Sequence, residues 1–297
     1  MKNIAVIGSG TMGNGIAHLF AQYDFKVSLI DVNATALEKG FATIKKNLSR
    51  QIEKGIISTG QKDAAVGNLT MTTSLKDGVT HADLIIEAAT ENVELKLKIF
   101  RELDQLAAQH CLLASNTSSI SITKIASVTA RPDKVIGMHF MNPVPLMKLV
   151  EVIRGYATSD DVTKQIMDLS VALDKVPVEV HDYPGFVANR ILMPMINEAI
   201  HTLHEGVAGV EEIDSVMKLG MGHPMGPLQL ADFVGLDVCL SIMKVLHEGF
   251  GNPKYAPCAL LVNMVESGAK GIKSGHGFYA YTPGSKALVV SSAFVKK

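Results

Sequence analysis

The 297-residue chain contains no tryptophan, and aromatic residues make up only 5% of it. With 28 Lys and Arg set against 29 Asp and Glu, it offers neither the stacking platforms nor the basic field that nucleic acid recognition uses. Long apolar runs are also missing: none approaches the roughly 20 residues needed to span a bilayer. No membrane partner is therefore expected. Cysteine is scarce and odd in number, and the wide spacing of Cys111, Cys239 and Cys258 excludes a disulfide framework and fits a reducing compartment. The first residues, "MKNIAVIGSG", run straight into an apolar strand and leave no room for a charged leader, an apolar stretch and a cleavage site. A cytoplasmic location is expected. No paired C-x-x-C and no H-E-x-x-H occurs, and His201 and His204 of "HTLH" share a helical face without a third ligand nearby. No metal is expected.

What remains is a chain that is 47% hydrophobic and, at about 150 residues per domain, long enough for two cores. Short Val- and Ile-rich runs alternate with helical periodicity: "NIAVIG", "KVSLID", "LTMTTS", "ADLIIEA", "CLLASNT", "VIGMHF", "LVEVIR" and "VPVEV" read as strands. Helices are expected over 11–22, 34–54, 92–108 and 159–173. This is the α/β pattern of a Rossmann-type, mostly parallel, doubly wound sheet covered on both faces. After "HDYPGFVANR" the strands stop, and the pattern stays helical to about 266, broken at "GMGHPMGP" and "GNPKYAP". The expected organisation is a nucleotide-binding domain over 1–182 and an all-helical domain over 183–297.

The strongest local signal is "IAVIGSGTMGNGIA", where Gly8, Gly10 and Gly13 form G-x-G-x-x-G between a strand and a helix. Gly8 permits the tight turn, Gly10 lets a pyrophosphate approach, and Gly13 lets helix and strand pack closely. Thr11 and Met12 open the helix whose N-terminus faces the anion. The second strand ends in Asp31, 18 residues beyond Gly13, where a carboxylate can accept hydrogen bonds from ribose hydroxyls and repel a 2′-phosphate. NAD is favoured over NADP.

A second signal is a titratable pair in an apolar setting. In "MHFMNPVPLMKLVEVI", His139 and Glu151 interrupt two strands joined by a turn. A histidine on an apolar strand is more often a satisfied core residue than a catalyst, and only a neighbouring cofactor site raises the catalytic reading. Ser118 follows the fifth strand, where an open parallel sheet holds ligands; capping the helix "ISITKIA" would explain it equally well. Asn189 falls in the first helix of the second domain and could be solvated surface. Lys46, Arg50 and Lys54 recur every four residues along the long helix after Asp31. Such a stripe either receives an anionic substrate handle or is a solvated face.

In this order "GSGTMGNGIA", "LIIEAATEN", "ASNTSSISIT", "GMHFMNPVPLMKLVEVI", "PGFVANRI", "VMKLGMGHPMGP" and "KSGHGFY" resemble the short-chain L-3-hydroxyacyl-CoA dehydrogenases, and among them the bacterial 3-hydroxybutyryl-CoA dehydrogenases. The resemblance runs from residue 3 to about 281. Met141 stands where the family often has Phe, and the tail after Tyr281 exceeds the usual ending. The resemblance implies an NAD-dependent, homodimeric enzyme acting on acyl-CoA, with His139 as catalytic base, Glu151 as its partner, and Ser118 and Asn189 around the reacting carbon. It also implies that Glu91, Lys96, Ser118, Asn142 and Lys273 lie near the dinucleotide and that Asn47 and Lys54 lie near coenzyme A; the cationic stripe adds Arg50 to that handle. A dehydrogenase of a non-CoA hydroxy acid on the same scaffold, and a non-catalytic dinucleotide-binding module, are the alternatives.

Overall fold

A computed structural model describes residues 1–285 and 287–295. The chain divides into two compact units, Met1–Tyr183 and Pro184 onward.

In the first unit β1 (Asn3–Ile7), α1 (Thr11–Gln22), β2 (Lys26–Ile30), α2 (Ala34–Glu53), α3 (Thr59–Gly67), β3 (Leu69–Thr72), α4 (Leu75–Val79), β4 (Leu84–Glu87), α5 (Val93–Leu106) and β5 (Leu112–Ser115) alternate. They are followed by α6 (Ile122–Ala126), β6 (Val135–Phe140), β7 (Leu149–Arg154), α7 (Asp160–Ala172) and β8 (Val176–His181). Side-chain caps set the helix starts. Asn33, Asn92, Ser121 and Ser159 each accept a bond from a backbone N–H of the first turn, satisfying a donor that the helix leaves unpaired. The helix α3, which periodicity does not reveal, opens with a Ser58–Gln61 capping box.

The eight strands lie in the order β3-β2-β1-β4-β5-β6-β7-β8. All neighbours pair in parallel except β6 and β7, which are antiparallel. The sheet is thus mostly parallel, with its last two strands reversed. The cause is the connection: residues 141–148 form a short turn, and a parallel crossover would need a dozen or more. The central strands β4, β5 and β6 are buried at every position, as strands covered on both faces must be. Ile4, Val6, Phe20, Leu29, Ile86 and Met138 belong to the core.

The second unit contains α8 (Ala188–His204), α9 (Val210–Ser215), α10 (Pro227–Val234), α11 (Leu236–Phe250) and α12 (Ala259–Glu266) around a separate core that includes Met193, Leu228, Leu246 and Phe278. Its helices stop where the sequence breaks; α11 ends on Gly251 in the left-handed conformation, which glycine adopts without steric cost. The unit is not wholly helical. Tyr279–Ala280 (β9) and Val289–Val290 (β10) pair antiparallel, too short for alternation to be legible in sequence. No described helix is long and apolar enough to cross a membrane.

Candidate active site

The glycine turn between β1 and α1 lies where the strand order reverses, the ligand position of this sheet type. Gly8 has φ +95°, and a Cβ there would meet the Ala88 carbonyl oxygen at 2.6 Å. On Gly13 a Cβ would lie 1.7 Å from the Gly8 carbonyl oxygen, whereas on Gly10 it would meet no protein atom within 4 Å. Two glycines therefore close the turn and the third leaves it open. That open side borders a cavity of about 370 Å³ lined by Gly10, Thr11, Asn14, Thr43, Asn47 and Asn142 among others. The turn fits a dinucleotide phosphate, because its helix N-terminus and uncovered Gly10 backbone supply donors with no side chain in the way. The Met12 side chain packs against the hydrophobic core, so what Met12 offers the turn is its backbone.

Asp31 sits just past β2. Its Oδ2 accepts the backbone N–H and the hydroxyl of Ser9, both at 2.8 Å, and its Oδ1 accepts the Asn33 N–H at 3.0 Å. Partial burial alone would raise its pKa; the bonds from Ser9 and Asn33 outweigh that and hold the carboxyl below its ordinary value. A carboxylate has about four acceptor sites, so Oδ1 keeps capacity for a ribose hydroxyl.

The antiparallel register of β6 and β7 places His139 directly opposite Glu151, on one face of the sheet. Glu151 Oε2 lies 2.7 Å from His139 Nδ1, and Ser118 Oγ lies 3.0 Å from Nε2. His139 and Glu151 are buried. A carboxylate at Nδ1 assigns the proton to that nitrogen and leaves the Nε2 lone pair directed at the hydroxyl. Ser118 is not a helix cap, since Ser121 caps α6. Asn116, which sequence reasoning missed, accepts the Phe140 N–H at 3.0 Å and ties the segment after β5 to the histidine strand.

Lys96 lies in the first turn of α5 but points inward: it is 1% exposed, with Nζ 2.6 Å from the buried Glu87 Oε1. Glu87 is a second missed residue. Its signal was a lone charge closing the apolar strand "LIIE". Glu91 precedes α5 and binds the segment after β5, with its Oε1 2.9 Å from the Ser118 N–H. Asn142 opens the turn between β6 and β7, and that turn is anchored by the buried Lys175, which donates to the Val144 and Met147 carbonyls at 2.7 and 2.8 Å.

Along α2 the cavity is lined by Ala36, Lys39, Gly40, Thr43 and Asn47, whereas Lys46, Arg50 and Lys54 do not line it. The cavity stripe is thus offset from the cationic one, and Lys39 and Thr43 belong to it. In the second unit Asn189 is 8% exposed, so it is not solvated surface, and Lys273 forms an ion pair with Asp237.

Residues 3–183 match the family described as "3-hydroxyacyl-CoA dehydrogenase, NAD binding domain", and residues 185–281 match its "C-terminal domain". The probable 3-hydroxybutyryl-CoA dehydrogenase of Bacillus subtilis is 54% identical over 95% of this chain and 98% of its own. The 3-hydroxybutyryl-CoA dehydrogenase of Bradyrhizobium diazoefficiens is 52% identical over 95% and 96%. The crystal structure of (S)-3-hydroxybutyryl-CoA dehydrogenase from Ralstonia eutropha superposes with a TM-score of 0.92 at 48% identity, covering 95% of this chain and 99% of that one. With both parts of the chain matched in order and the NAD-binding architecture in place, the chain belongs to the 3-hydroxyacyl-CoA dehydrogenase family.

Proposed function

We propose that this enzyme interconverts (S)-3-hydroxyacyl-CoA, in particular 3-hydroxybutyryl-CoA, and the corresponding 3-ketoacyl-CoA. The observation that carries the reading is the line of contacts from Glu151 through His139 to Ser118. NAD, when bound, supplies the hydride acceptor for oxidation and, once reduced, the donor for the reverse reaction. In oxidation His139 Nε2 takes the hydroxyl proton, the imidazolium is stabilised by Glu151 through Nδ1, and Ser118 orients the substrate oxygen. In reduction the same nitrogen returns the proton to the ketone oxygen. Burial keeps the ion pair away from water, where its attraction is strongest.

Gly8, Gly10, Thr11, Met12, Gly13, Asp31 and Asn142 would hold the dinucleotide, joined by Glu91, Lys96 and Lys273 on the strength of the resemblance. Asn47, Arg50 and Lys54 would serve coenzyme A, and Asn189 the acyl substrate. A homodimer is supported by exposed Ile191, Val216, Leu219 and Met221 on the second unit. Three buried, unpaired cysteines suit a cytoplasmic enzyme.

The test is NADH oxidation with acetoacetyl-CoA, a longer 3-ketoacyl-CoA and free acetoacetate. Acetoacetyl-CoA should be turned over with the highest kcat/KM. Equal turnover of free acetoacetate would overturn the coenzyme A reading and favour a non-CoA hydroxy acid, a second reading motivated by the absence of Arg50 and Lys54 from the cavity wall.

A further inference from the structure

Behind Ser118 lies a cluster of charges that the reaction scheme does not use. One oxygen of Glu91, Oε1, accepts from the Thr117 hydroxyl at 2.5 Å, the Ser118 N–H at 2.9 Å, and the Ser119 N–H and hydroxyl at 3.2 and 3.1 Å. Its other oxygen is 3.4 Å from Lys96 Nζ. Lys96 is held in turn by Glu87 Oε1 at 2.6 Å and the Ala89 carbonyl at 3.3 Å. Glu87 Oε2 accepts the Ser115 hydroxyl at 2.7 Å, and that hydroxyl accepts the Thr117 N–H at 3.2 Å. The turn carrying Ser118 is therefore tied at both ends to one ion cluster.

The local backbone explains why this matters. Past the end of β5 the successive N–H groups of Thr117, Ser118, Ser119 and Ile120 donate to side chains, with Glu91 taking two of them and the Thr117 hydroxyl receiving the Ile120 N–H at 2.9 Å. Side-chain acceptors thus choose the conformation of this segment. A charged acceptor makes bonds roughly twice as strong as a neutral one, and Lys96 behind it offsets the cost of gathering two carboxylates.

We propose that Glu91 is a positioning residue: backed by Lys96, its carboxylate clamps the Thr117–Ser119 turn and so fixes the Ser118 hydroxyl on His139 Nε2. Its kinetic consequence rests on the reading of His139 and Ser118 as reaction groups, whereas its geometric consequence does not. Misplacement by an ångström can cost about 10²-fold in rate.

The experiment compares wild type, Ser118→Ala, Glu91→Leu and Glu91→Gln by ¹⁵N NMR of the His139 ring in the free enzyme, alongside steady-state kinetics with acetoacetyl-CoA. Glu91→Leu should move the Nε2 resonance toward its Ser118→Ala position and lower kcat at saturating NADH by about 10- to 100-fold, a loss separate from any rise in KM for NADH that its place beside the dinucleotide brings. Glu91→Gln, whose amide oxygen still accepts the turn's donors, should recover part of both effects. Ser119→Ala, which removes a single donor, should shift the resonance in the same direction by less. The proposal is overturned if Glu91→Leu leaves the resonance and the saturating rate unchanged while raising KM for NADH, because Glu91 would then be a cofactor contact alone. Should His139 prove dispensable for turnover, the resonance still decides the clamp.

Discussion

At the scale of single residues, the histidine contacts separate chemistry from binding. Removing the base in His139→Ala should lower kcat by about 10²- to 10⁴-fold and leave NADH affinity, read by fluorescence titration, unchanged; equal loss of affinity would mark a structural role instead. Glu151→Gln nearly preserves volume but deletes the charge that offsets imidazolium, so turnover should fall at every pH with NADH affinity intact. Wild-type turnover in that variant would leave His139 working without its partner. Asp31 has a double task, bonding Ser9 and Asn33 while keeping acceptor capacity. Asp31→Ala should weaken NADH by about 1.5–3 kcal/mol, the worth of a charge-assisted bond, and a calorimetric Kd matching wild type would remove it from the ribose site.

At the scale of elements, α2 presses on the glycine turn: a Cβ on Gly40 would meet the Ser9 carbonyl oxygen at 2.7 Å. Gly40→Ala must move the helix or the turn, so it should cost about 1–3 kcal/mol of stability and weaken NADH as well. Unchanged urea midpoint and NADH affinity would show that the contact relaxes freely. All eight strands of the large sheet were legible, the buried ones as continuous apolar runs and the largely exposed β3 and β8 as short apolar–polar alternations, each bounded by turn residues. The reversal of β7 and β8 follows from turn length, and β9 and β10 are too short to leave a pattern. The candidate site was legible in unequal parts. The glycine turn and the His139–Glu151 pair interrupt otherwise regular patterns. Asn116 and Lys175 act through burial, which a single sequence does not display, whereas Glu87 left the lone charge that closes an apolar strand; the offset between the cationic and cavity-lining stripes of α2 depends on where 142–145 packs.

At the scale of the whole molecule, each unit has its own core and its own response to acid. Burial pushes His18, in α1, down to about 4 from 6.5, with only partial relief from Gln22 and Gln51. Above pH 6.5 both folded and unfolded forms are neutral there; as pH falls toward 4 the unfolded chain takes a proton that the folded one refuses, and stability is lost. Between pH 7 and 5 this costs the first unit about 2 kcal/mol. Asp232 acts oppositely in the second unit. Burial raises its carboxyl to about 6, against bonds from Tyr279, Phe278 and Tyr281, so the folded form gains stability as pH falls from 6 toward 3.8. Hydrogen exchange at pH 7 and 5 should show protection falling in the first unit relative to the second. His18→Gln should reduce that fall, and an identical pH response in the variant would assign it to other groups.

The reversal of β7 also bears on the order in which the site assembles. His139 and Glu151 are 12 positions apart and meet across a hairpin, whereas the glycine turn depends on β1 pairing with β4, as in Ile4 with Leu84. Closing the longer loop costs about 1.7 kcal/mol more in chain entropy. The acid–base pair can therefore form from local chain, and the nucleotide cradle must wait for distant segments. During refolding, pulse-labelled amides of β6 and β7 should be protected no later than those of β1 and β4; the opposite order would place the nucleus of the sheet at the cradle.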